Sequence, residues 1–99
     1  ALLANKEEKL SNALQADFKL YPTVTTGVVY WLPGNKFPST GAILKVFDAK
    51  GSVVVAKKYP SALYPLSVQT VDIGKLVPGQ YLITINGKGY KEGVKVIVK

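Results

Sequence analysis

Cysteine, histidine and methionine are absent from this 99-residue chain, and all thirteen basic residues are lysine. Without cysteine there is no disulfide framework, no thiol nucleophile and no thiolate metal site. Without histidine the chain lacks the usual general base at neutral pH, the commonest zinc ligand and the physiological pH switch. What remains for acid chemistry is six carboxylates, Glu7, Glu8, Asp17, Asp48, Asp72 and Glu92, with no pairing along the sequence. An enzyme would need two of them, such as Asp48 and Asp72, to meet in space. The expectation is a non-enzyme with no cofactor and no metal. The missing arginine removes bidentate phosphate and base recognition, which argues against a nucleic-acid partner. No apolar run reaches membrane-spanning length, and the opening ALLANKEEKL lacks the basic start and long apolar core of a signal peptide. With no methionine at position 1, the expectation is a processed product or an excised piece of a longer chain.

What is present favours strands. The apolar residues are chiefly Val, Ile, Leu, Tyr and Phe, and the length suits one domain with a modest core. The net charge of +7 is lopsided, because residues 45–99 carry nine lysines against three acids and residues 1–44 four against three. Lysines spaced along strands read first as a solvated face that discourages edge pairing, and they leave room for attraction to an anionic surface.

The most regular stretch is Val71 to Ile85, VDIGKLVPGQYLITI. Pro78 and Gly79 predict a type II reversal over Val77–Gln80, after which Tyr81, Ile83 and Ile85 alternate with Leu82 and Thr84. Val68–Ile73, with Val71 and Ile73 inward, is expected to face that strand across the turn, with Leu76 plugging it. Upstream, residues 1–15 have helix-forming composition but no evident partner, and read as a linker or leader from a preceding domain. Phe18–Tyr21 is a short edge strand stopped by Pro22. Thr23–Leu32 follows as one strand, with Trp31 expected in the core. Pro33–Gly41 is a loop in which Phe37 risks exposure. Ala42–Phe47 and Ser52–Lys57 form a hairpin joined by a type I turn with Asp48 first and Gly51 last. Tyr59–Ser67, with two Tyr-Pro pairs, is a crossover between sheets. Asn86–Gly89, NGKG, predicts a tight hairpin into a last strand, Tyr90–Lys99, in which Val94, Val96 and Val98 alternate with Lys95, Ile97 and Lys99. About seven strands with turns at this spacing predict an all-β, antiparallel immunoglobulin-like Greek-key sandwich over residues 16–99, with a small open barrel as the alternative.

Four of these pieces, taken in order, resemble one family. Leu20-Tyr21-Pro22-Thr23-Val24-Thr25-Thr26-Gly27-Val28 resembles a Tyr-Pro-Asn-Pro opening followed by a Thr/Gly run, with Thr23 and Val24 standing where Asn and Pro are usual. Val46 to Val54, with Asp48 and Gly51, resembles its aspartate-bearing turn. Leu76-Val77-Pro78-Gly79-Gln80-Tyr81-Leu82-Ile83-Thr84-Ile85 resembles its Leu-x-Pro/Gly-x-Tyr pattern, and Lys91 to Lys99 its lysine-bearing final strand. Together they resemble the type A C-terminal sorting domain of proteins exported by the type IX secretion system, over about residues 18–99.

The resemblance implies a signal. Such domains direct an attached passenger from the periplasm through an outer-membrane translocon, with shuttle and surface peptidase components as partners. They are then usually removed as the passenger is joined to a cell-surface anchor, so cleavage is expected within residues 1–15. For this chain the candidate recognition element is Tyr90, Lys91, Gly93, Val94, Lys95, Val96, Ile97, Val98 and Lys99, whose strand edge would offer main-chain hydrogen bonds and side chains to a receptor. The alternative is that residues 90–99 only complete the sandwich with their lysines facing water, and such an edge could also pair with itself in a strand-exchanged homodimer. The competing class is a fibronectin-like adhesin or carbohydrate- or protein-binding module using Trp31, Phe37 or the tyrosines.

Overall fold

Residues 17–99 are described by the structure, a computed structural model; the leader reading of residues 1–15 lies outside them. Alternating apolar residues build eight strands: β1 (Lys19–Tyr21), β2 (Val24–Thr25), β3 (Val28–Leu32), β4 (Ala42–Phe47), β5 (Val53–Tyr59), β6 (Gln69–Asp72), β7 (Gly79–Gly87) and β8 (Tyr90–Val98). They form a three-stranded sheet, β1-β3-β6, and a five-stranded sheet, β2-β8-β7-β4-β5. Every pairing is antiparallel except that of β2 with β8. This is an all-β sandwich with the strand arrangement of immunoglobulin-like domains. Among the described residues there are eight strands, close to the seven or so expected, and one pair is parallel.

The core lies between the sheets. Val29 and Trp31 of β3 and Val71 of β6 face Leu44 and Val46 of β4, Ile83 and Ile85 of β7, and Val96 and Val98 of β8. Trp31 is fully buried and meets Tyr59 edge to face, with ring centroids 5.3 Å apart. Phe37 is also buried, contrary to the exposure its loop suggested, because its ring packs edge to face on Tyr90 at 5.3 Å. A loop aromatic beside an open end of a sandwich is drawn in by the apolar area it removes from water.

Three readings change for physical reasons. Thr23–Leu32 is two strands in two sheets, since the buried Thr25 hydroxyl accepts the Gly27 N–H at 3.0 Å and donates to the Val28 carbonyl at 3.2 Å, closing a corner. Val68–Ile73 does not pair with the strand after Pro78; β6 pairs with β3 and β7 lies in the opposite sheet. Its corner turns at Ile73–Leu76, with the Leu76 N–H donating to the Ile73 carbonyl at 3.1 Å, while Gly79, at φ 158°, is nearly extended and opens β7. The last hairpin falls within the expected Asn86–Gly89 stretch and turns at Lys88–Gly89. Gly87 stays in β7 because it pairs with Ala42, where a Cβ would come within 2.7 Å of the Gly41 carbonyl oxygen and Pro38.

Candidate functional site

Turns set the ends of the sandwich, and one end collects most of the sequence motifs. The β2–β3 corner, the β4–β5 turn, the β6–β7 corner and residues 97–99 all lie at this pole, as the pairings of Val28 with Asp72, Thr25 with Val98, and Gly79 with Val98 require. Asp48 makes its turn by accepting the Lys50 and Ser52 N–H groups on Oδ1, both at 2.9 Å, and Gly51 takes φ 88°. Asp72 accepts the Gly74 N–H at 2.9 Å in the neighbouring corner. Each carboxylate is thus engaged by its own turn, and the described residues hold no cluster of acids arranged for a metal ion. The Tyr81 hydroxyl donates back to the Val77 carbonyl, pinning the start of β7 to the corner before it. Asp48, Leu76, Pro78, Gly79 and Tyr81 come together around a cleft of about 540 Å³, with Lys50 and Lys75 also in its wall. These two lysines were not singled out in the sequence, where nothing local distinguishes them from other turn lysines. Tyr21 and Pro22 stand apart: they end β1 in the other sheet, joined by a cis peptide bond.

The second feature is the edge of β8. The Ile97 N–H donates to the Thr23 carbonyl at 2.8 Å and the Lys99 N–H to the Thr25 carbonyl at 2.9 Å. Odd-numbered residues of β8 therefore direct their main-chain groups away from β7 and toward β2, by the two-residue repeat of a strand. Since β2 is only Val24–Thr25, the main-chain groups of Lys91, Gly93 and Lys95 face an edge with no neighbouring strand among the described residues. The edge is half closed, rather than unpaired along its length. Thr23 and Thr25, which close it, read in the sequence only as the start of one continuous strand.

Burial sorts the candidate recognition residues. Lys91, Gly93, Lys95, Ile97 and Lys99 are exposed, Val94 is half-buried, and Tyr90, Val96 and Val98 belong to the core. Valine side chains that fill the sandwich have nothing to insert into a receptor while the domain is folded. Tyr90 lies at the far pole, where its hydroxyl donates to the Pro33 carbonyl at 2.7 Å. Burial, with the Glu92 carboxylate adding to it, pushes this phenol well above the ordinary tyrosine range. The adhesin reading loses two of its aromatics the same way, since Trp31 and Phe37 are in the core. Tyr21 and Tyr30 do stack on the outer face of the three-stranded sheet, with centroids 5.9 Å apart.

Among curated proteins no relative matches this chain. The family whose profile does match is described as the secretion system C-terminal sorting domain, and the match runs over residues 19–99, from the first residue of β1 through β8. The aspartate turn, the Tyr81 corner and the lysine-edged last strand thus fall within one matched unit, and the chain belongs to the family of type IX secretion system C-terminal sorting domains.

Proposed function

We propose that this domain is the folded address that carries an attached passenger out of the periplasm through the type IX translocon to the cell surface or the medium. The observation that carries the reading is the family match across every strand of the sandwich. On this reading the passenger precedes the β domain, which spans residues 16–99, and a surface peptidase cuts within residues 1–15 once export is complete. The geometry supports the division of labour. Asp17 and Phe18 lie beside Pro33, Tyr90 and Glu92 at one pole. Ile97 to Lys99 lie at the other, separated by the nine residues of β8, roughly 30 Å of extended chain. A passenger leaving from the first pole leaves the second uncovered.

Recognition is assigned to the open part of the β8 edge, through the main chain of Lys91, Gly93 and Lys95, and to the adjoining pole with Ile97 and Lys99. Strand addition supplies the affinity and lysines steer the encounter toward an acidic receptor such as an outer-membrane shuttle. A second copy competing for the same edge at high concentration would give the strand-exchanged dimer. The test is a transplant: residues 1–99 fused behind an inert periplasmic reporter, in a bacterium with an intact or a disabled type IX system. Surface display that requires the translocon is the expected outcome. Periplasmic retention of a folded fusion in the intact strain would refute the reading.

A further inference from the structure

The outer face of the five-stranded sheet differs from that of the three-stranded sheet. Its register places Lys58, Ile43, Asn86 and Lys91 in one row across the sheet, and Ala56, Lys45, Thr84 and Gly93 in the next. A third row runs Val53, Phe47, Leu82, Lys95, and beyond it Ile97 pairs with Val24. Of the apolar residues here, Val24, Ile43, Val53, Leu82 and Ile97 are each 40–48% exposed. Four lysines project among them, and among the described residues no acid shares the face. The one acid in these five strands, Glu92, points the other way along β8 and is half-buried. Asp48 stands at the rim, where with Leu82 and Lys95 it borders a shallow depression, and its Oδ1 is held by two turn amides. The opposite face of the sandwich carries Tyr21 and Tyr30 and includes Asp72 beside Val28.

We infer that this face is a docking surface for an anionic lipid bilayer. Protein-binding surfaces draw their central energy from aromatic residues and arginine and are depleted in lysine. Here Phe47 is the lone aromatic and already half-buried, arginine is absent, and lysine dominates. Lysine stems lie well along aliphatic neighbours while the ammonium reaches outward, which is how basic residues sit at a headgroup layer. The band Val53–Phe47–Leu82, continued diagonally to Ile97 and Val24, would rest against the acyl boundary, with Lys45, Lys58, Lys91 and Lys95 among the phosphates. Lys57 belongs to the other side of β5 and sits over the Tyr59 ring at 5.3 Å. This inference stands on the charge and register of the sheet and is independent of the export reading.

The test is co-sedimentation of the 99-residue chain with vesicles of phosphatidylcholine alone and of phosphatidylcholine with phosphatidylglycerol. Binding is expected to the anionic vesicles only and to weaken as salt rises. Each of Lys45→Gln, Lys58→Gln, Lys91→Gln and Lys95→Gln should lower the partition coefficient roughly fivefold. Controls in which Lys19, Lys36, Lys75 or Lys88 is changed singly to Gln alter net charge equally on other surfaces and should each bind nearly as the parent does. All eight are surface positions, so thermal melts of every variant should stay close to the parent's. Absence of binding to anionic vesicles would overturn the inference. So would equal loss in the controls, which would mean net charge alone. Face-dependent binding to soluble polyglutamate without vesicle binding would assign the surface to an acidic protein instead.

Discussion

At the scale of single residues, the sandwich rests on a few side chains and on two glycines, Gly41 and Gly87, that leave no room for a Cβ. Gly41 has φ 86°, and a Cβ there would collide with the Tyr59 carbonyl. Gly41→Ala therefore combines a left-handed backbone with a steric clash and should cost more than about 2 kcal/mol in a denaturant titration. Gly93 is the contrast, since an added Cβ would meet nothing nearer than 3.9 Å; its glycine is not demanded by packing within the domain. Tyr90 links stability to alkaline pH. Its folded pKa is raised above the unfolded value of about 10, so its stabilisation is complete below that pH and is lost as pH rises through the folded value. Tyr90→Phe should lower stability at neutral pH by about 1–3 kcal/mol, for the unpartnered Pro33 carbonyl. The variant should also decline less steeply than the parent when melts are followed into the alkaline range.

At the scale of elements, local signals were readable wherever a strand and its turn are neighbours in sequence. Ala42–Phe47 forms as its alternation indicates, and Asp48 to Gly51 closes the hairpin with the amides and the positive φ its residue types imply. The inward set Tyr81, Ile83 and Ile85 was equally plain. What could not be read was which sheet a strand joins. Pro78 and Gly79 mark a change of direction, but only the pairing of β6 with β3 puts the two sides of that corner in different layers. The Asn86–Gly89 signal located the last hairpin, and because Gly87 stays extended beside Ala42 and Pro38 the turn within it falls at Lys88–Gly89. The Thr25 corner was hidden inside what read as one continuous strand. Thr25→Val keeps the shape and removes both of its hydrogen bonds, and should cost about 1–2 kcal/mol. Because Thr25 also holds the end of β8 through its carbonyl, amide exchange at Lys99 should rise more in this variant than exchange in the β4–β7 ladder.

At the scale of the whole molecule, the domain separates three surfaces: the pole where the described chain begins, the opposite pole with its motif turns, and a half-open sheet edge between them. The recognition assignment could be read in sequence only as a stretch of ten residues, because burial decides which of them are available. The alternation of Val94, Val96 and Val98 against lysines located the faces, yet the partial cover by β2 depends on Thr23 and Thr25, some seventy residues away in the chain. The central claim is that the folded edge of β8 is what the export machinery reads, and Gly93→Pro tests it most directly. The Gly93 N–H faces the open edge, so proline there removes an outward donor without breaking the β7–β8 ladder. The measurement is surface display of a reporter fused to the Gly93→Pro chain, with circular dichroism and protease resistance confirming the fold. Folded protein retained in the periplasm is the predicted result; display at the level of the unmodified fusion would contradict the account.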